Sequence, residues 1–147
     1  MSLDDWLKNG WLRSHTTSPN EISARLSAAD RDLAVSADTR NEDWRLVIAY
    51  NAALYFAATA LAAEGYEAAK GPGHHERVIE SLRFTLGVDK ETIKTCNRFR
   101  EKRNISDYEQ AGMITKKEAD EMIELAKMLR KRLIGWLFSN HPELVKD

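Results

Sequence analysis

Apolar side chains recur at every third or fourth position along most of this chain, which is the spacing of amphipathic α-helices. The first long run consists of Ile22, Leu26, Ala29 and Leu33. Ser18, Pro19 and Glu21 precede this run and predict a helix start, with a capping hydroxyl, a proline in the first turn and a capping-box acid. Alternation with a period of two, the pattern of strands, is scarce. The chain is therefore predicted to be all-α.

A second apolar segment, over about 41–64, is apolar nearly all round after Arg45, which is typical of the central helix of a bundle. Its aromatic residues are predicted to lie in the core: Trp44, Tyr50, Tyr55 and Phe56. Further helices are predicted over about 74–86, 89–104 and 115–138. Asp89 and Thr115 are placed to cap the last two. Together these segments predict a bundle of four to five helices.

The N-terminal segment, about 3–12, is predicted to form one or two helical turns and carries Trp6 and Trp11. These two tryptophans can fold back onto the core of the bundle. They can equally mark a dimer surface, where aromatic side chains are enriched. The sequence leaves both interpretations open.

Composition narrows the class of protein. The 147 residues, of which 43% are hydrophobic and 31% charged, predict a single domain over 1–147 with its core at about 18–138. The longest apolar stretch, 52–63, is too short to span a membrane, and we expect a cytoplasmic protein without a membrane partner. Cys96 is the single cysteine, so an internal disulfide is excluded. The formal net charge is -1, so a nucleic-acid site must be a local patch.

Familiar catalytic patterns are missing, and neither a metal nor a cofactor is expected, because the helices lack Glu-x-x-His and His-Glu-x-x-His spacings. The segment 89–103 is the exception in charge, with six basic and three acidic residues. Within it Cys96, Phe99 and Arg103 share one helical face, so Arg103 is predicted to be partly buried. A buried guanidinium needs an anion or several acceptors. Asp107, one turn on, can supply the anion, or the arginine can face a cleft and receive phosphate.

His74 and His75 follow a Gly-Pro-Gly turn at a predicted helix start. The helix dipole disfavours a charged imidazolium there, so neutral rings are expected. A neutral histidine can act as a base. The plainer interpretation is that one ring caps the helix and the other faces solvent.

The segment Arg103-Asn104-Ile105-Ser106-Asp107-Tyr108 resembles the motif of the HEPN superfamily of small all-α domains. Many members have an arginine, then a polar residue, then a histidine four to six residues after the arginine. Arg103 and Asn104 match this motif, and Tyr108 stands where the histidine would be. The stretch 44–53 and the Gly73-His74-His75 turn are also similar to small bacterial HEPN-type proteins, and the resemblance covers about 18–137.

The resemblance implies a bundle of four or five helices, commonly dimeric. Many HEPN proteins are metal-independent ribonucleases, often toxins encoded beside a nucleotidyltransferase antitoxin, and others are binding or regulatory domains that have lost the motif. In active members the arginine steadies the phosphate and the histidine moves protons, roles that suit these side chains. A homodimer, RNA or a nucleotide, and a nucleotidyltransferase are therefore the partners to expect.

The tyrosine at the histidine position divides the functional hypotheses. With a reference pKa of about 10, roughly one tyrosine in a thousand is phenolate at pH 7. We therefore expect a HEPN-type domain with little or no catalysis, which binds a nucleotide, RNA or a protein through Arg100, Arg103, Asn104, Asp107 and Tyr108. The first alternative is a metal-independent ribonuclease in which Arg103 acts with Tyr108, or with His74 or His75 if the fold brings their turn to Arg103. The second is a purely structural scaffold.

Overall fold

The computed structural model describes residues 1–108 and 114–145, with side chains described for all of these except 104–108. Its helices are α1 (Leu3–Lys8), α2 (Pro19–Asp38), α3 (Glu42–Ala63), α4 (His74–Glu80), α5 (Leu82–Thr85), α6 (Lys90–Tyr108) and α7 (Lys116–Asn140), followed by a 3-10 turn over Pro142–Leu144. Two short strands, β1 (Leu12–Ser14) and β2 (Tyr66–Ala68), pair antiparallel with Leu12 opposite Ala68. The all-α prediction is confirmed.

The helices begin where local side-chain chemistry predicts. The Ser18 hydroxyl accepts a hydrogen bond from the backbone N–H of Glu21 at 3.2 Å, and Asp89 accepts one from the backbone N–H of Thr92 at 3.2 Å. Thr115 forms a complete capping box at the start of α7. The capping-box role expected for Glu21 is wrong, because its carboxylate instead contacts His15 Nε2 at 2.6 Å and Arg25 Nε at 3.0 Å.

Helix α3 is the centre of the bundle, with α2, α6 and α7 packed around it. Tyr50 and Phe56 on α3 are fully buried, as are Phe99 on α6 and Met122 on α7. By length and composition α3 could cross a membrane, but 72% of its most apolar window is buried inside the protein. A core helix of a soluble protein passes the same test, and this burial is consistent with one.

Two aromatic residues of α3 lie on the surface, and the prediction that they are core residues is wrong. Trp44 is 59% exposed and Tyr55 is 43% exposed. They are eleven residues apart, close to three turns, so they share one side of the helix. A helix that is apolar all round does not reveal from its sequence which side its neighbours leave uncovered.

The N-terminal segment folds back onto the bundle. Trp6 on α1 is only 6% exposed and packs edge-on against Phe84, with ring centroids 5.3 Å apart, and against Trp11 at 5.9 Å. Strand β1 ties this segment to β2, and the Trp11 carbonyl accepts a bond from the Ala69 N–H at 2.9 Å. The dimer interpretation of Trp6 is therefore wrong, and Trp11 lies close to the start of α4.

Candidate phosphate-binding site

Arg103 lies partly buried on the face of α6 that also carries Cys96 and Phe99, as the sequence predicts. Its Cζ atom is 5.5 Å from the centroid of the Tyr50 ring, so the guanidinium rests against an aromatic side chain of α3. Its buried Nε atom has no hydrogen-bond partner among the residues that the structure describes. A buried N–H group without an acceptor is costly, so this side chain can gain free energy from an anion.

Tyr50 lies against both Arg103 and His75. The sequence does not reveal this role, because Tyr50 is predicted only as a core residue. The side chain is fully buried, and its hydroxyl has no partner within the described part of the chain. Burial raises the pKa of Tyr50 to about 12, against the opposing effect of the positive charges of Arg100 and Arg103. Tyr50 is thus a neutral phenol that can donate a hydrogen bond but cannot serve as a base.

The fold brings His75 to the same place. Its ring centroid is 6.5 Å from that of Tyr50 and 5.6 Å from that of His74. Partial burial lowers the pKa of His75, and the charges of Arg103, His74 and Arg100 lower it further. His75 is therefore a neutral imidazole near pH 7, able to accept a proton.

Neither histidine caps α4, so that plainer interpretation is wrong. The cap position is Gly73, which has a φ of 78° and no side chain, and the His74 N–H bonds the Gly71 carbonyl at 3.2 Å. The Nδ1 atom of His74 lies 3.2 Å from the Ala69 carbonyl oxygen, which fixes this ring against the segment after β2. His75 turns inward to Tyr50 instead of facing solvent.

Arg100 completes the positive wall of the site and is held loosely. Its Nη2 atom is 4.0 Å from a carboxylate oxygen of Glu76 and 4.0 Å from one of Glu101. Its Nε atom reaches Asn97 Oδ1 at 3.5 Å, the long limit of a hydrogen bond. None of these contacts is the short two-fold pairing that saturates a guanidinium, so Arg100 can still bind an oxyanion.

His74, His75 and Arg100 line a cleft of about 290 Å³ together with Gly71, Gly73 and Glu76, and Tyr50 and Arg103 lie behind this lining. That volume suits a small polar group such as phosphate and is at the lower limit of ligand pockets. Among the described side chains, those of 1–103 and 114–145, no group of three or more His, Cys, Asp or Glu residues is arranged to hold a metal ion. Burial raises the pKa of Cys96 to about 12, so its thiol is neutral and unreactive.

The structure thus brings together Arg100, Arg103, His74 and His75, which the sequence offers from two separate segments. The other predicted site residues, Asn104, Asp107 and Tyr108, have side chains outside the described residues. Pairing of Arg103 with Asp107 and a catalytic role for Tyr108 therefore stay predictions.

A comparison with protein families matches the model of the HEPN domain over residues 22–136. A search of curated proteins gives no match. The matched region contains α4 and α6, which line the cleft, and α3, which carries Tyr50 behind it. With most of its length matched by this one model, the chain belongs to the HEPN family.

Proposed function

We propose that this HEPN domain binds the phosphate groups of RNA or of a nucleotide in the cleft between α4 and α6. The observation that carries the proposal is the buried Nε atom of Arg103, which has no partner among the described residues and belongs to a guanidinium that rests against the same Tyr50 ring as His75. Guanidinium groups bind phosphate oxygens through paired N–H bonds, in preference to the point contact that lysine makes. Arg100 thus offers hydrogen-bond donors in the wall of the cleft, and the charge of Arg103 acts on His75 in the same wall.

Electrostatics support the same assignment. The chain as a whole carries a net charge of -1, so attraction to RNA has to come from a local concentration of cations. Arg100 and Arg103 both act on His75 strongly enough to lower its pKa. The positive potentials of Arg100 and Arg103 thus overlap at His75, and both arginines would attract a phosphate bound there.

Binding to a fluorescent single-stranded RNA tests this proposal, with wild type compared with Arg100→Gln and Arg103→Lys. Arg98→Gln is the matched control, since Arg98 lies on α6, is about half exposed and pairs with Glu121 at 3.2 Å. We expect each site variant to weaken binding about tenfold or more, as loss of a charged hydrogen bond would do, and the control to bind like wild type.

Equal binding by all four proteins would contradict the phosphate site. A loss of folding in Arg103→Lys, seen by circular dichroism, with unchanged RNA binding by Arg100→Gln, would favour the purely structural alternative. In that case Arg103 ties helices together and binds no ligand.

Metal-independent RNA cleavage is a second candidate function, favoured by the neutral His75 next to Arg103. In that reaction His75 takes the proton of a ribose 2′-hydroxyl, and the 2′-oxygen attacks phosphorus. The bond from phosphorus to the 5′-oxygen breaks, and the 5′-oxygen takes a proton from water. The products are a 2′,3′-cyclic phosphate and a 5′-hydroxyl, while the arginines stabilise the charge that develops on the phosphate.

Incubation with structured and single-stranded RNA in EDTA tests cleavage. If His75 is the base, His75→Gln and Arg103→Lys abolish product formation, and His141→Gln, a change in an unrelated histidine beside Trp136, leaves it intact. Cleavage that survives His75→Gln would return the catalytic role to Tyr108 or His74. Binding without any cleavage by wild type would support the non-catalytic domain.

A homodimer belongs to the same proposal, supported by the exposed Trp44 and Tyr55 on one side of α3. Exposed aromatic side chains are enriched in interfaces. A nucleotidyltransferase partner of toxin–antitoxin type and a cytoplasmic location rest on the family resemblance. Co-purification with the product of an adjacent nucleotidyltransferase gene tests the partner.

A further inference from the structure

A second cavity, of about 370 Å³, adjoins the phosphate-binding cleft and shares Gly73 and Glu76 with it. Its walls include Trp6, Trp11, Glu76, Arg77, Glu80 and Arg83. Trp6 and Trp11 lie before residue 22, where the match to the HEPN family begins. This cavity therefore combines a wall from the matched region with a wall from the N-terminal segment, which lies outside that region.

One wall of the cavity is suited to a flat aromatic group. The Cζ atom of Arg77 lies 5.0 Å from the centroid of the Trp11 ring, so the guanidinium is supported by the indole. Nucleobases stack on aromatic rings and on arginine planes of this kind. Trp6 is 6% exposed, and its buried indole N–H has no acceptor in the described part of the chain.

The polar groups of the cavity select among bases. Glu76 and Glu80 line the cavity, and their carboxylates can accept hydrogen bonds from a base edge that carries adjacent N–H donors. Glu80 already accepts one bond from Asn97 Nδ2 at 3.1 Å, which orients its carboxylate. The guanidinium groups of Arg77 and Arg83 are donors, which match the O6 and N7 acceptors of guanine. Guanine is the base that presents two neighbouring N–H groups on one edge and two acceptors on another.

We infer that the second cavity is a nucleobase subsite for guanine, whose phosphate occupies the adjoining cleft. This inference rests on the proposed function, because the phosphate fixes the nucleotide beside the cavity. The ligand is a guanosine monophosphate unit, either free or within RNA. The N-terminal segment thereby contributes the aromatic wall of the subsite, and residues of the matched region supply its polar groups and the affinity for phosphate.

Isothermal titration calorimetry with GMP, AMP, ribose 5-phosphate and inorganic phosphate tests the subsite. Stacking of one base contributes about 1–3 kcal/mol, so GMP should bind about tenfold or more tightly than ribose 5-phosphate. AMP should fall between them. Equal affinities for GMP and ribose 5-phosphate would overturn the inference.

Arg77→Lys keeps the charge and removes the planar group, so it should cut the preference for GMP over ribose 5-phosphate to about a third or less, given the value of a stacked arginine. Arg98→Lys is the matched control, because the Cζ atom of Arg98 lies 4.9 Å from the ring centroid of Phe99, outside both cavities. If Arg77→Lys binds GMP as wild type does, the subsite is wrong.

The two proposals fail in different ways. In one outcome, inorganic phosphate and ribose 5-phosphate bind and lose affinity in Arg100→Gln, but the identity of the base has no effect. This outcome would support the phosphate site and contradict the base subsite. If none of the four ligands binds, a pentanucleotide with a central guanosine is compared with its all-uridine counterpart. Preference for the former assigns the subsite to RNA, and absence of binding to both overturns the subsite together with the phosphate site.

Discussion

At the scale of single residues, the site combines titratable side chains whose pKa values are shifted by burial with buried polar atoms that have no partner among the described residues. His75 is neutral because it is partly buried and because Arg103, His74 and Arg100 repel an added proton. Tyr50 is neutral at its ordinary pKa of about 10, and burial raises that pKa further. An anion between the arginines would reverse part of the effect on His75, because it would screen their charges.

A pH titration of His75 by NMR tests this description. We expect its pKa to lie below the ordinary value of about 6.5, so that the ring is neutral in the folded protein at pH 7. Arg103→Gln removes a positive neighbour and should raise the pKa of His75. Arg98→Gln should leave it unchanged, and an equal response to the two substitutions would contradict the proximity of Arg103.

The folded state disfavours protonated His75, so the neutral ring contributes to the free energy of unfolding at pH values above the pKa that His75 has in the unfolded chain. That contribution is lost as the pH falls below about 6.5, where the unfolded chain takes up the proton more readily. If His75 instead had a raised pKa, the protein would gain stability over the same interval.

Tyr50→Phe gives a stability prediction at the same scale. The substitution removes a buried hydroxyl that has no partner among the described residues, so the free energy of unfolding should stay the same or rise by up to about 1 kcal/mol. Phe56→Ala, in an equally buried position on α3, should cost about 3–5 kcal/mol. Urea denaturation measures both, and a loss above about 1 kcal/mol in Tyr50→Phe would show that the hydroxyl has a partner.

At the scale of elements, the position where a helix starts is set by side chains nearby in the sequence. The packing of one helix against another is not. Ser18, Asp89 and Thr115 are recognisable in the sequence because a cap bonds an N–H only three residues away. By contrast, the predicted helix over 74–86 divides at Ser81, where the hydroxyl bonds the Val78 carbonyl at 2.6 Å. Strands of three residues are too short to show alternation.

The features of the candidate site likewise divide into those that a local sequence pattern predicts and those that depend on tertiary packing. Partial burial of Arg103 follows from its place on a stripe with Cys96 and Phe99, which is a local pattern. Its meeting with His75 depends on how α4 and α6 pack against α3, and no local pattern encodes that packing. Tyr50 was expected only as a core residue for the same reason, since its contact with Arg103 is tertiary.

Thr115→Ala tests the contribution of a single element boundary. The hydroxyl of Thr115 accepts the Glu118 N–H at 3.1 Å, and Glu118 bonds back to the N–H of Thr115. Loss of this cap should lower the free energy of unfolding by about 1 kcal/mol. Thr95→Ala is the control, because the Thr95 hydroxyl only bonds the preceding Glu91 carbonyl within α6, and an equal effect of both substitutions would argue against the cap.

At the scale of the whole molecule, α3 has two different sides. Its inner side carries Tyr50 and Phe56 into the core, and its outer side leaves Trp44 and Tyr55 in contact with solvent. A second copy of the chain is the occupant that we propose for this outer side. The proposed site lies on the Tyr50 side, so association and ligand binding can be tested by separate substitutions.

Light scattering at micromolar concentration tests the dimer. We expect wild type to be dimeric, and Trp44→Glu to shift the protein to a monomer, because it places a charge in an aromatic interface. Phe138→Glu is the matched control, since Phe138 is 58% exposed on α7. A monomeric wild type, or a dimer that dissociates only in the control, would end the proposal.

The back-folded N-terminus has one more consequence, which concerns where the folding unit ends. Trp6 and Leu12 belong to the same core cluster as Phe99 and Leu137, although the family match covers only 22–136. Limited proteolysis should therefore leave the first turns attached under native conditions, since cutting them off would expose Phe84 and the partner strand of β1. We therefore expect the protease-resistant unit to extend on the N-terminal side beyond the matched residues 22–136.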